Sequence, residues 1–141
     1  CAGYGCGDIS DNLYHRFRAD GYAWHAGNLV AGGDVTAYSD ARIKENIITI
    51  DNALEKTLAL RGVYYNRTDT NDKSQKLGII AQEVQEVLPQ AVHEQSDGLL
   101  TVAYGNMAGL FIEAIKEQQA IIENQQKQID ELKYLYEKNN K

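Results

Sequence analysis

Ser39 and Lys44 are the two residues of this sequence whose types could carry out a reaction together. A serine hydroxyl becomes a nucleophile when a base removes its proton, and a lysine can be that base only while its amine is neutral. Desolvation or nearby positive charge favours the neutral amine, and Ile43, Ile47 and Ile48 could supply apolar cover. Such pairs are common in proteins, so spacing alone favours a turn serine and a solvated lysine.

The spacing limits how the two side chains could meet. Positions five apart differ by about 140° around a helix axis, so Ser39 and Lys44 would not face each other on a continuous helix. A contact within one chain requires Ser39 at the end of an extended segment and a short turn, capped by Asp40, that folds Lys44 back. A contact between two chains is the alternative. Either way, the pair belongs at a junction between two structural regions.

Composition divides the chain into three regions that meet near this pair. Seven of the twelve glycines lie in the first 38 residues, whereas the residues after 109 contain neither glycine nor proline and are rich in Glu, Gln, Lys and Ile. We therefore expect an α+β chain. Its parts are a short β-stem over residues 1–38, a small mixed α/β domain over residues 39–107 and a long C-terminal helix over residues 108–141.

The first region has a six-residue glycine period, with an apolar residue at the third position of each hexad: Gly21, Gly27 and Gly33, with Ala23, Leu29 and Val35. A short fixed period of this kind is typical of stacked β-structure, in which each rung buries its apolar face only against the next. Three rungs in one chain leave most of that face wet, so the pattern predicts association with copies of the same chain. Ordinary hairpins with Asp20-Gly21 as a turn are the alternative.

The middle region predicts alternating short helices and strands. Asp51 precedes Leu54 and Leu58 and follows Ile50, which fits a helix capped by Asp51 that stops at Gly62. The other expected elements are a strand over 63–65, a polar loop over 68–76, a helix over 82–88 that Pro89 ends, and a hairpin of 91–94 with 99–104 around Asp97-Gly98.

The last region predicts a coiled coil of about four and a half heptads. Ala108, Ile115, Ile122, Ile129 and Tyr136 share one seam position, and Phe111, Gln118, Gln125, Leu132 and Asn139 share the other. At about 1.5 Å per residue the helix is on the order of 50 Å long, more than this domain can cover, so we expect it to pair with other chains. The two glutamine layers penalise misaligned registers. An amphipathic helix lying on the middle domain is the alternative.

Composition also excludes several function classes. With 43% hydrophobic and 24% charged residues the chain is globular, and a net charge of −6 disfavours nucleic acid and anionic membranes as partners. No apolar run is long enough to span a bilayer. Cys1, Cys6 and the three scattered histidines have no metal-ligand spacing, so we expect neither a metal nor a cofactor. The chain opens at Cys1 rather than Met, and we expect it to be a fragment of a longer protein.

Two motifs resemble those of a known family. Residues 39–47, SDARIKENI, closely resemble the opening motif of the C-terminal intramolecular chaperone domains of phage tailspikes, tail fibres and neck appendages, a self-cleaving serine peptidase family. Residues 78–85, GIIAQEVQ, followed by Val87-Leu88-Pro89, match the second hallmark. The resemblance covers residues 39–141 and includes the short β-stem before them.

The resemblance implies a homotrimer that brings three fibre chains into register and then cuts itself free once, as a single-turnover endopeptidase without cofactor. Ser39 would be the nucleophile, Lys44 its base, and Tyr38–Ser39 the bond cleaved. Asp40 and Asn46 would cap or orient the motif, and Glu83 would serve burial, trimer contacts or chemistry. The trimer seam would be formed by Phe111, Ile115, Gln118, Ile122, Gln125, Ile129 and Leu132.

The same resemblance implies where the protein acts and leaves two other hypotheses open. Assembly would take place in the host bacterial cytoplasm, the upstream fibre region of the same chain would be the partner, and the mature fibre would belong to the virion after the chaperone domain is released. One alternative is a non-cleaving trimerisation or adhesion module with inert Ser39 and Lys44. The other is the related self-cleaving domain of membrane-tethered eukaryotic transcription factors, which uses a similar serine-lysine motif.

Overall fold

The computed structural model describes the backbone of residues 15–17 and 23–25 and all of residues 28–140, and it divides the chain into two compact units, Cys1–Asn46 and Ile47–Lys141. In the first unit, strands β1 (His15–Phe17) and β2 (Ala23–His25) pair antiparallel, with His15 opposite His25. This is the pairing of the hairpin alternative. Its proposed turn at Asp20-Gly21 lies outside the described residues.

Residues 28–39 continue the first unit as a stretch without helix or strand. Leu29, Val30 and Val35 are largely exposed to solvent along it. Stacking of these residues as rungs between copies stays a prediction.

The second unit contains two helix-and-hairpin pairs and the long C-terminal helix. In chain order its elements are α1 (Ala53–Leu58), β3 (Val63–Tyr65), β4 (Lys76–Gly78), α2 (Ala81–Val87), β5 (Val92–Glu94), β6 (Leu100–Val102) and α3 (Met107–Asn139). The expected strand at 63–65, the polar loop before β4 and the helix that ends before Pro89 are all present. Together with α3 they confirm the mixed α+β class.

Each hairpin of this unit is a two-stranded antiparallel sheet. Tyr64 lies opposite Leu77 in the β3–β4 pair, and His93 lies opposite Thr101 in the β5–β6 pair. Gly98, in the turn between β5 and β6, has a φ of 80°, a conformation that residues with a Cβ rarely adopt. The turn predicted at Asp97-Gly98 is therefore confirmed, and its glycine has a conformational reason.

A small apolar core joins α1 and α2 to the first two turns of α3. Partly buried side chains that include Ile50, Leu54 and Leu88 pack against it. Its buried members are Ala53, Val84, Ala91, Met107, Leu110 and Ala114. The beginning of α3 is thus part of the domain, as the alternative interpretation of this helix expected, while the rest of its length extends past the core.

The N-terminus of α1 differs from the prediction. The helix begins after Asn52, whose left-handed backbone (φ 47°) provides no side-chain cap, and it ends at Leu58 rather than at Gly62. Asp51, the expected cap, instead accepts a hydrogen bond of 2.7 Å from Lys56 Nζ. The prediction was wrong here because a left-handed residue stands between Asp51 and the first turn and directs that carboxylate elsewhere.

The missing cap is replaced from α3. Glu117 accepts hydrogen bonds from the amides of Ala53 (2.9 Å) and Leu54 (2.8 Å), one on each carboxylate oxygen, in a partly buried position. These are amides that a helix leaves without an intrahelical acceptor, and a negative charge at this end is favoured by the helix dipole. One side chain of α3 therefore holds the start of α1.

Past the core, α3 carries an exposed face with apolar residues at heptad spacing. Phe111, Ile115, Ile122, Ile129 and Leu132 are between 44% and 66% exposed, although they share one face of the helix. Gln118 and Gln125, the polar members of the predicted seam, are exposed as well. Among the helices that the structure describes, none is long and apolar enough to cross a membrane.

Removing the Glu117 carboxylate should destabilise the second unit. We expect Glu117→Ala to lower the free energy of unfolding by about 2 kcal/mol, because two partly buried amides lose a charged acceptor, and Glu117→Gln to lower it by about half as much. Chemical denaturation of the full chain measures this. Glu131→Ala, an exposed glutamate two heptads further along α3, is the control, and equal losses at both positions would contradict the capping role.

Candidate active site

Ser39 and Lys44 are joined by a single short turn. Asp40 has an extended backbone (φ −65°, ψ 135°), residues Ala41–Ile43 form one turn of 3-10 helix, and Lys44 returns to an extended backbone. Two backbone hydrogen bonds of 3.2 Å close the turn, from Ile43 N to Asp40 O and from Lys44 N to Ala41 O. The chain therefore reverses locally between the serine and the lysine.

Asp40 stabilises this turn as its N-cap. Its Oδ1 accepts from the backbone amide of Arg42 at 2.8 Å, and the Arg42 guanidinium donates to both carboxylate oxygens, at 2.7 Å from Nη2 to Oδ2. The side-chain hydrogen bond from Arg42, followed by its backbone hydrogen bond, lowers the pKa of the Asp40 carboxyl below its usual value. Aspartate as an N-cap is the interaction that the sequence predicted, and Arg42 is a partner that sequence reasoning missed.

The turn brings the side chains of Ser39 and Lys44 into contact. Lys44 Nζ donates a hydrogen bond of 2.7 Å to Ser39 Oγ, and both side chains are exposed to solvent. This distance is within the range required for proton transfer between a nucleophile and its base. The exposed pair therefore has the contact that a serine-lysine dyad would need.

The apolar cover considered for Lys44 is not closed over it. Ile43, Ile47 and Ile48 are 66%, 71% and 85% exposed. Tyr38, whose peptide bond to Ser39 would be cleaved, is 95% exposed. The isoleucines and Tyr38 are therefore all open to solvent in the single chain.

Asn46 follows the dyad with an unusual backbone. Its φ of 52° lies in the left-handed region, which asparagine tolerates better than most residues because its short side chain can interact locally. The chain changes direction here, at the boundary between the two compact units. The conformation gives a physical reason for an asparagine at this point of the motif.

The second motif occupies the start of α2 and the strand before it. Gly78 ends β4, and a Cβ on it would lie 2.9 Å from Tyr104 Oη and 3.2 Å from a ring carbon of Tyr65, so a larger residue would displace the tyrosines. Glu83 is engaged by Arg61, whose Nη2 donates to it at 2.7 Å. This hydrogen bond lowers the pKa of Glu83.

These contacts separate the predicted site residues into two groups. Ser39, Asp40 and Lys44 meet in one turn, while Glu83 belongs to the other compact unit and forms an ion pair with Arg61. Arg61 and Glu83 are 22 residues apart, so no local pattern could have paired them. Among the described residues, no group of three or more His, Cys, Asp or Glu side chains is arranged to hold a metal ion.

Comparison with known proteins identifies relatives of this region. Residues 39–93 match the family described as "chaperone of endosialidase", which bears a peptidase name. The chain is 34% identical over 121 residues to the long tail fiber protein Gp37 of Enterobacteria phage T2, a match that covers 81% of the chain and 9% of that protein. Gp37 of Enterobacteria phage M1 is 35% identical over 114 residues, with 75% and 45% covered.

A third relative matches a shorter part of the chain. Gp37 of Escherichia phage AR1 is 38% identical over 92 residues, which cover 60% of the chain and 8% of that protein. The chain thus spans about a tenth of the length of the T2 and AR1 fibre proteins and under half of the M1 protein. These relatives are proteins of long tail fibres.

The Asp40 turn should persist into strongly acidic solution. A carboxyl whose pKa is lowered by folding contributes stability above its ordinary value, here 3.8, and loses it as the pH falls through the lowered value. We therefore expect the Arg42 amide resonance to stay in place while the pH falls to 3.8 and to move only below it.

Two variants separate the contributions of Asp40. Asp40→Asn keeps an oxygen for the Arg42 amide but removes the charge, whereas Asp40→Ala removes both, so both variants should shift that resonance at neutral pH and the alanine variant should shift it further. Two-dimensional NMR of the uncut Ser39→Ala chain provides the measurement. A titration centred at or above 3.8 would contradict the ion pair.

Proposed function

Because residues 39–93 belong to the chaperone of endosialidase family, we propose that this chain is the C-terminal intramolecular chaperone of a phage tail fibre, which assembles three copies and then cleaves the Tyr38–Ser39 bond. The hydrogen bond of 2.7 Å between Lys44 Nζ and Ser39 Oγ is the observation that carries the proposed chemistry. The exposed heptad face of α3 supports the proposed assembly.

Assembly follows from the apolar face of α3. Its heptad repeat continues past the domain core, where the chain has nothing to cover it, and parallel pairing with two other copies buries the residues of both seam positions. The glutamines at Gln118 and Gln125 meet their own counterparts only when the three chains are in register. Because α3 is anchored in the domain at one end, pairing of three such helices aligns the fibre segments that precede the three domains.

The cleavage step uses the two groups of the turn. Lys44, once neutral, takes the proton of Ser39 Oγ, which attacks the carbonyl carbon of Tyr38 and forms an ester as the Tyr38–Ser39 C–N bond breaks. The lysine returns the proton to the leaving nitrogen, which becomes the amino group of Ser39. Water then hydrolyses the ester, giving a carboxylate on Tyr38 and restoring the serine hydroxyl.

The order of events follows from the exposure of the dyad. In the single chain both side chains are exposed to solvent. Covering the pair on assembly disfavours the charged amine and leaves a base beside the hydroxyl. The cut therefore follows assembly, and a fibre that is not in register keeps its chaperone.

A second candidate function is a trimerisation module that is never cut. It is favoured by the same exposure, because Ile43, Ile47 and Ile48 give the pair no apolar cover in the single chain. The two candidates share the coiled coil and differ only in whether the chain shortens after folding.

Variants of the dyad separate the two candidates. We expect the parent chain to yield a fragment beginning at Ser39, and both Ser39→Ala and Lys44→Arg to remain at full length, because one lacks the nucleophile and the other keeps a charge but cannot act as a base. Intact mass under denaturing conditions measures this. A parent that stays whole as a folded trimer would instead support the uncut module.

Variants of the seam test assembly. Ile122→Asp places a charge in the middle of the heptad face, so we expect trimers to dissociate at least about a hundredfold more readily. Ala120→Asp, two residues away on the outer side of α3, should leave assembly unchanged. Sedimentation of both variants in the uncut Ser39→Ala chain provides the comparison, and equal effects of the two would contradict the seam.

A further inference from the structure

The domain buries α3 on one flank of its heptad seam and leaves the other flank of the seam half exposed. With Ala108 and Ile115 at heptad position a, the buried Met107 and Ala114 take position g and Leu110 and Glu117 take position c. These two positions are neighbours on one side of the seam. On the opposite side, the position e residue Ile112 is 53% exposed.

This asymmetry determines what lies beside each helix in a parallel trimer. The g flank of one helix faces the e flank of an adjacent helix, and around a threefold axis every chain makes this contact in the same head-to-tail sense. Since the domain covers the g flank of its own α3, it also borders the e flank of the adjacent copy. At the level of the domain, Met107 at position g of one copy is paired with Ile112 at position e of the adjacent copy.

The residues at position e fit this arrangement. Ile112 is at the height of the domain, whereas Gln119, Gln126 and Lys133, which follow it at the same heptad position, are polar. An isolated apolar residue at this position is expected where the neighbouring surface is an apolar core rather than a helix bordered by water. For the half-exposed side chain of Ile112, the neighbouring apolar surface is the domain of the adjacent copy.

We propose that Ile112 of each chain docks against the domain of the adjacent copy, beside Met107, so that each domain is closed by a residue of its neighbour. The partner is a second copy of this chain, and the inference rests on the trimer of the proposed function. The contact ties each domain to the helix of the next copy as well as to its own.

Photo-crosslinking tests this contact directly. A benzoylphenylalanine in place of Ile112 in the Ser39→Ala full chain is mixed with nitrogen-15-labelled Ser39→Ala chain that carries no probe, so that only links between copies join light and heavy peptides. We expect light–heavy links from position 112 to peptides of residues 47–110. The same probe in place of Gln126, at the same heptad position but beyond the domain, should link only to residues after 117.

A substitution measures what the contact contributes. Ile112→Gln introduces the residue that α3 already carries at Gln119 and Gln126, so the helix itself tolerates it. We expect the concentration at which trimers half-dissociate to rise at least about tenfold, because each copy loses a buried apolar contact. At concentrations where the chain is monomeric, the unfolding midpoint should be unchanged, since Ile112 is exposed there.

The outcomes distinguish this contact from the proposed function. Trimers whose position 112 links only to helix residues after 117, or whose dissociation is unaffected by Ile112→Gln, overturn the docking of Ile112 and leave the trimeric chaperone standing. A chain that sediments as a monomer at every concentration overturns the proposed assembly, and the contact with it.

Discussion

The fold of the second unit depends on the two hydrogen bonds that the amides of Ala53 and Leu54 donate to Glu117. Without them, α1 would begin with partly buried amides and no acceptor, because Asn52 is left-handed and supplies no cap. Glu117 follows the buried residues Leu110 and Ala114 on α3, so the cap is in place only when the core between the two helices is closed. α1 and the start of α3 therefore form as one structure.

This arrangement gives α3 two tasks on different parts of its circumference. Residues at positions g and c complete the domain, and the apolar residues at positions a and d remain largely exposed. A helix with a single apolar stripe could use that stripe either to pack on the domain or to form a coiled coil, but not for both. Here the two stripes are adjacent, so the domain is held rigidly beside the seam, and assembly of the helix necessarily places three domains around one axis in the proposed trimer.

The features predicted from sequence are those with a local or periodic cause. α3 was predictable because its pattern repeats over more than thirty residues, and the turn at Asp40 because a cap acts within its own turn. The Glu117 cap and the Arg61–Glu83 pair were not predictable. Glu117 lies 64 and 63 residues from its two partners on α1, and Arg61 lies 22 residues from Glu83, so no sequence period connects them. The sequence favours Asp51 as the cap of α1 because it lies between Ile50 and Leu54, but the acceptor of the first amides is Glu117 of α3, which only the tertiary structure brings there.

The position of the proposed cut explains why one turnover suffices. Tyr38–Ser39 joins a stretch without helix or strand to a turn that is closed by its own hydrogen bonds. After the proposed cleavage, the piece that begins at Ser39 keeps the turn, the core and α3. The piece that ends at Tyr38 keeps only the contacts that it has formed with other copies. Separated from the helix that aligned it, that stretch could not easily find its register again, so its persistence becomes kinetic. A site that acts once on a bond of its own turn needs no substrate pocket, only a contact that becomes reactive after the copies have assembled.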